Sequence, residues 1–266
     1  MNGPESNTLD APLLHWRDGA IAHLRFNRPQ SLNAVDSAMA SAFLAACKSI
    51  AADPGVRVVV ISGEGRAFMA GGDIAQFRDD AASIPETLIG PLHQAVRILT
   101  MLPVPVVASL QGAVAGAGMS LALACDLAVA ADNTRFNFAY VNLGTSCDLG
   151  ASWSLPRLVG LRRALEIALL SDPIDAAEAL HLGLVNRVVP AEALADETLK
   201  LARRLAATAP TGQAMLKRLM RDSFSHDLPE QLVAEQLAFA KCAATKDFGE
   251  AVSAFLEKRR PVFTGK

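Results

Sequence analysis

VPVVASLQGAVAGAGMSLALACD, residues 104–126, is the stretch from which the rest of the chain is read. It begins as a β-branched run ending near Ser109, passes through a small-residue turn containing Gln111, Gly112, Gly116 and Gly118, and continues as an apolar segment of helical length. The expectation is strand, glycine loop, buried helix. Glycine lets backbone come close to a ligand, and the first N–H groups of a helix have no acceptor within it, so such a loop suits a negatively charged group. A tight turn in an α/β core is the plainer alternative.

A second stretch repeats the device. Residues 56–62 are another β-branched run, followed by Gly63, Gly65, Ala70, Gly71, Gly72 and Asp73, with a helix start at Ile74. Two strand-loop-helix units in one domain can aim two backbone N–H groups at a single oxygen, which is what an oxyanion hole requires. Each such donor contributes about 3 kcal/mol of transition-state stabilisation.

The chain has 266 residues and 51% hydrophobic content, enough to bury a large core in a soluble globular protein. A net charge of -2 and the lack of a basic run argue against nucleic acid or a membrane surface as partner. The uncharged stretch between Arg97 and Asp126 is interrupted by Pro103, Pro105, Gln111 and glycines, so a buried strand and helix explain it better than a membrane span. MNGPESNTLD at the start lacks an apolar segment and is expected to be a loose tail, neither signal peptide nor anchor. Cys47, Cys125, Cys147 and Cys242 contain no CxxC pair, which suits reduced thiols in a cytoplasm. His15, His23, His181 and His226 are scattered without ligand spacing, so no metal is expected.

Runs 13–16 and 21–26 flank Asp18-Gly19 and predict a β-hairpin, and Asp36 is placed to cap a helix reaching Ala52. A helix over 85–100 carries His93, followed by strands at 127–130 and 135–140. Asp148 lies in the glycine-rich segment NLGTSCDLGAS (142–152), where it is either a functional carboxylate or an exposed turn aspartate. One helix is expected over 153–170, another from Asp175 and Glu178 to Gly183, and a strand over 185–189. Beyond Pro190 come four helices, over 192–208, 212–222, 229–245 and 247–260. The order predicts helices packed on a sheet, with an appended helical subdomain.

These motifs resemble the crotonase superfamily, the enoyl-CoA hydratase/isomerase family, from about residue 12 to 263. NRPQSLNA (27–34), VVVISGEGRAFMAGGDI (58–74), PVVASLQGAVAGAGMSLALACD (105–126), GLVNRVVP (183–190) and AFLEKRR (254–260) occur in the family's order. The resemblance implies an α/β fold: residues 1–11 as tail, 12–190 as a spiral of repeated ββα units, and 191–266 as a helical trimerisation region. It implies a homotrimer or dimer of trimers that binds acyl-CoA thioesters, with no cofactor beyond the coenzyme A of the substrate. By motif position the oxyanion donors are Gly72 and Ala117, the latter where the family often has a third glycine. Ala70, Gly71, Asp73 and Ile74 fall at the coenzyme A path, and Phe255 and Lys258 match C-terminal positions that contact it, often from a neighbouring subunit.

The two glutamate positions of the hydratases read Ser120 and Tyr140 here. Neither replaces a carboxylate in activating water and protonating carbon at neutral pH. Asp148 stands where several branches of the family place a catalytic carboxylate. One carboxylate suffices to remove a proton at one carbon and return it at another, so enoyl-CoA isomerisation is the expected reaction. Hydration is the first alternative. A dehalogenase-like hydrolysis, with His93 and Tyr140 supporting Asp148, is the second, although that enzyme has phenylalanine where Gly72 stands. A non-catalytic acyl-CoA-binding relative is the third. Segment 77–89 is expected to set pocket depth, and Met69, Met101 and Met119 to lie near the acyl channel or to fill the core.

Overall fold

A computed structural model describes residues 10–266, so the expectation for the tail falls mostly on residues 1–9, outside the described residues. Alternating apolar residues form the hairpin β1 (Leu13–Asp18) and β2 (Ile21–Phe26). Gly19 turns it at φ 58°, a region costly for any residue with a β-carbon. Asp36 accepts from the Met39 N–H and starts α1 (Ser37–Ala52). β3 (Val58–Gly63) follows, then α2 (Ile74–Asp79), capped by Asp73. A π-helical turn over Pro85–Ile89 leads into α3 (Gly90–Met101) and then β4 (Val106–Leu110).

Residues 104–126 differ from expectation in one respect. Between β4 and the helix, β5 (Ala113–Ala115) is a short strand rather than part of a turn. Met69 explains it, because its N–H donates to Ala113 O and its carbonyl accepts from the Ala115 N–H, giving an extended backbone partners on that side. α4 (Ala117–Ala124) is buried at all eight positions. β6 (Leu127–Ala131) and β7 (Arg135–Asn137) come next.

The single helix expected over 153–170 is two, α5 (Ala151–Val159) and α6 (Leu161–Leu170), because Gly160 at φ 76°, ψ 157° breaks the helical path. β8 (Ile174–Asp175), which the sequence did not suggest, precedes α7 (Ala176–His181) and β9 (Arg187–Val189). The remainder is α8 (Leu194–Ala206), α9 (Pro210–Asp222), α10 (Leu228–Ala243) and α11 (Lys246–Leu256). α11 is shorter than expected, and Lys258 just beyond it takes φ 57°.

The main sheet has the order β1-β2-β3-β4-β6-β9, parallel except for β1, and a smaller sheet joins β5, β7 and β8. Phe26, Phe43 and Phe68 lie in the large core between the main sheet and the helices of one face. On the other face Leu194, Leu201 and Ala202 of α8 cover Ile21, Val58, Val60, Val107 and Val129. α8 therefore completes the core, although the boundary at 190 had grouped it with the C-terminal region. α9 is anchored through Asp126, which pairs with Lys217 at 2.7 Å and Arg221 at 2.7 Å. Among the described residues no helix is long and apolar enough to cross a membrane.

Candidate active site

The loop after β3 is held on two sides. On one, the Ala70 N–H donates to Leu32 O, the Val35 N–H to Gly71 O, and the Asp73 N–H to Val35 O. On the other, Phe68 and Met69 donate to Gln111 O and Ala113 O. The amides of Gly71 and Gly72 are thereby left without a hydrogen-bond partner among the described residues, and such groups need water or a ligand. Across the contact, the Gly116 N–H donates to Asn137 O and the Ser120 N–H to Gly116 O, so Ala117 presents the first amide of α4 with no acceptor in its own helix.

Close approach of these loops demands glycine at two positions. Gly116 has φ 50° and ψ −119°, and a β-carbon on Gly118 would lie 2.3 Å from Met69 O. The amides of Gly72 and Ala117 are thus carried by backbone that cannot easily separate. Nearby, the ring of Phe77 sits where a β-carbon on Gly72 would come within 2.3 Å of it.

Ser120 lies three residues beyond Ala117, on the same face of α4, and is fully buried. Its Oγ is 2.7 Å from Tyr140 Oη, and Tyr140 donates in turn to Asp148 Oδ1. Burial pushes the Asp148 carboxyl above its ordinary value, with the Tyr140 hydrogen bond and the nearby His93 pulling the other way. Burial and the Asp148 charge push the Tyr140 phenol up as well, so it stays a donor. His93 does not bond Asp148: its Nε2 accepts from the Leu149 N–H at 3.0 Å, which places the ring proton on Nδ1.

A cavity of about 420 Å³ joins these groups. Gly72, Ala117, Tyr140, Asp148 and His93 line it, as do Ala70, Gly71 and Ile74. Asp148 is the one carboxylate on its wall among the described residues. Segment 77–89, expected to set pocket depth, contributes the apolar residues Phe77, Ala81, Ile84 and Leu88 to the wall. Asp73 is not on that wall. It caps α2 and pairs with Arg28 at 2.9 Å, which holds its carboxyl below the usual range. Phe255 is exposed and, like Lys258, is not at this cavity within the same chain. Met69 and Met119 are buried core residues and Met101 is exposed, so none shapes the cavity. Ser120 lies behind Tyr140, off the wall. The described residues contain no cluster of His, Cys, Asp or Glu fit to hold a metal ion.

Several supporting residues were not singled out from sequence. Arg28 pairs with both Asp36 and Asp73, joining the caps of α1 and α2, and buried Asn33 donates to Glu64 O and Ala67 O. The NRPQSLNA motif contained both, but only the structure shows that they brace the loop after β3. Ser171 had no motif to mark it. Its Oγ accepts from the Ala139 N–H and donates to Asn137, fixing the turn that carries Tyr140.

The Enoyl-CoA hydratase/isomerase family profile matches residues 17–266. The chain is 36% identical to the 1,2-epoxyphenylacetyl-CoA isomerase of Escherichia coli, over 96% of this chain and 98% of that protein. It is 34% identical to the crotonyl-CoA hydratase of Syntrophomonas wolfei, over 94% of this chain and 96% of that one. Among solved structures, a putative enoyl-CoA hydratase/isomerase from Mycobacterium abscessus superimposes with a TM-score of 0.91 at 35% identity, covering 96% of this chain and 100% of the other. With unpartnered amides from two loops at one cavity and matches along nearly the whole chain, the protein belongs to the enoyl-CoA hydratase/isomerase family of the crotonase superfamily.

Proposed function

We propose that the protein shifts the double bond of an enoyl-CoA through a thioester enolate, with Asp148 as the only proton carrier. The observation behind this reading is the single carboxylate on the wall of the cavity that the unpartnered amides of Gly72 and Ala117 also reach. Asp148 takes the C2 proton of a 3-enoyl thioester, and the electron pair of the broken C–H bond spreads onto the thioester oxygen. The amides of Gly72 and Ala117 hold the resulting charge. Collapse of the enolate forms the C2–C3 double bond while the 3,4 double bond takes the proton back from Asp148 at C4, and the carboxylate is regenerated.

Hydration is the second reading, favoured by the name of the 34% identical crotonyl-CoA hydratase. It asks one carboxylate to activate water and also deliver a proton, which is the reason to rank it lower. We also infer a cytoplasmic protein that assembles as a homotrimer or dimer of trimers. Exposed Leu237, Phe239, Phe255 and Leu256 on α10 and α11 support assembly. Conversion of a 3-enoyl-CoA to the 2-enoyl isomer tests the chemistry: wild type should turn over, and Asp148→Asn should lose at least about 100-fold. Turnover retained in the mutant would refute it.

A further inference from the structure

We propose that Tyr140, backed by Ser120, is a positioning residue that fixes one oxygen of Asp148 and leaves the other to carry the proton. This rests on the reading of Asp148 as the acid–base group. An ionised carboxylate only accepts, so Tyr140 donates to Asp148 Oδ1 and its own oxygen is free to accept from Ser120 at 2.7 Å. The polarity of the whole chain, Ser120 to Tyr140 to Asp148, is therefore set by the acid at its end.

The backbone on both sides of this pair is held in a conformation few side-chain-bearing residues adopt. Ala139, just before Tyr140, has φ 61°, and Leu149, just after Asp148, has φ 50°. Each is tied by its own N–H: Ala139 to Ser171 Oγ at 3.0 Å and Leu149 to His93 Nε2 at 3.0 Å. Phe138 packs edge-on against the Tyr140 ring at 5.1 Å. Donor and acceptor are thus anchored independently and meet without relying on a flexible side chain. A one-carboxylate shuttle benefits directly, since the same free oxygen must reach two carbons of one bound substrate. The phenol also favours the ionised acid against the burial that opposes it.

Tyr140→Phe in the full chain tests this. It should lower kcat by roughly tenfold to a hundredfold with KM within about twofold, as expected for loss of a charge-assisted hydrogen bond that acts on the acid rather than on the bound thioester. The acid limb of the kcat/KM profile should move to higher pH. The same upward move should appear in the pH titration of the Asp148 carboxyl carbon by NMR, which needs no substrate. Ser120→Ala should shift that titration in the same direction by less, and serves as the readout if Tyr140→Phe does not fold. Unchanged titration of Asp148 in both variants would overturn the proposal, as would a Tyr140→Phe enzyme with altered stability alone. Asp148→Asn separates the two levels. If it abolishes turnover while Tyr140→Phe leaves the titration in place, only the positioning role fails; if it retains turnover, both readings fail.

Discussion

Asp148 is half-buried, and desolvation holds its carboxyl above the ordinary value of 3.8. A base must be ionised to act, so kcat/KM should fall as pH drops through a point above the ordinary aspartate value. A pH–rate profile checks this, and an acid limb at the ordinary value would contradict it. The same shift has a consequence for stability. Between 3.8 and the raised value the folded chain holds more protons than the unfolded one, so the Asp148 contribution to stability falls as pH rises through that window. At neutral pH the ionised group is a standing cost of the active site. Asp148→Asn, which keeps an oxygen to accept from Tyr140, should therefore raise the thermal midpoint at pH 7 while removing activity; calorimetry showing a lower midpoint would count against it. His93→Leu should act differently. Loss of the acceptor for the Leu149 N–H leaves a part-buried donor unpaired, at a cost of about 1–3 kcal/mol measurable by denaturant unfolding.

α4 and the 67–72 loop behave as one unit, because the loop shares backbone hydrogen bonds with residues 111–115, which lead into α4, and meets Gly118 at a contact that only glycine allows. Gly118→Ala would set a β-carbon 2.3 Å from Met69 O, a rigid backbone atom, and should destabilise the fold by about 1–3 kcal/mol while lowering turnover at least tenfold. An active variant of wild-type stability would show that the two loops are not locked together. At this scale the sequence was informative wherever a local rule operates. The cap Asp36 and the turn at Gly19 were visible because a single side chain or φ angle determines them, whereas Asp73, read as a coenzyme A contact, proved to be a cap. β5 was not, because Ala113–Ala115 owes its extended form to Met69, far away in the chain. The break at Gly160 was hidden by apolar periodicity that runs on through it. In the site, the motifs marked Gly72, Ala117 and Asp148, but the Ser171 clamp and the bonding of His93 to Leu149 depend on contacts with no sequence spacing to betray them.

On the scale of the whole molecule, the loops after β3 and β4 meet at one cavity while α8 covers the other face of the sheet and α9 is tied to Asp126. α10 and α11 remain with large apolar side chains in water, among them Leu228, Leu237 and Phe239. Such a surface fits contact with further copies of the chain. Sedimentation should therefore show a multiple of 28.0 kDa, and Leu237→Asp with Phe239→Asp should shift it toward the single chain. A wild-type protein that sediments as one chain would contradict this.

The central claim is that one carboxylate performs the chemistry. Purified protein offered a 2-enoyl-CoA for hydration and a 3-enoyl-CoA for isomerisation, with Asp148→Asn alongside, tests it most directly. Isomerisation well above hydration, lost in the mutant, is the expected result. Fast hydration that survives the mutation would contradict the account and require an acid or base other than Asp148.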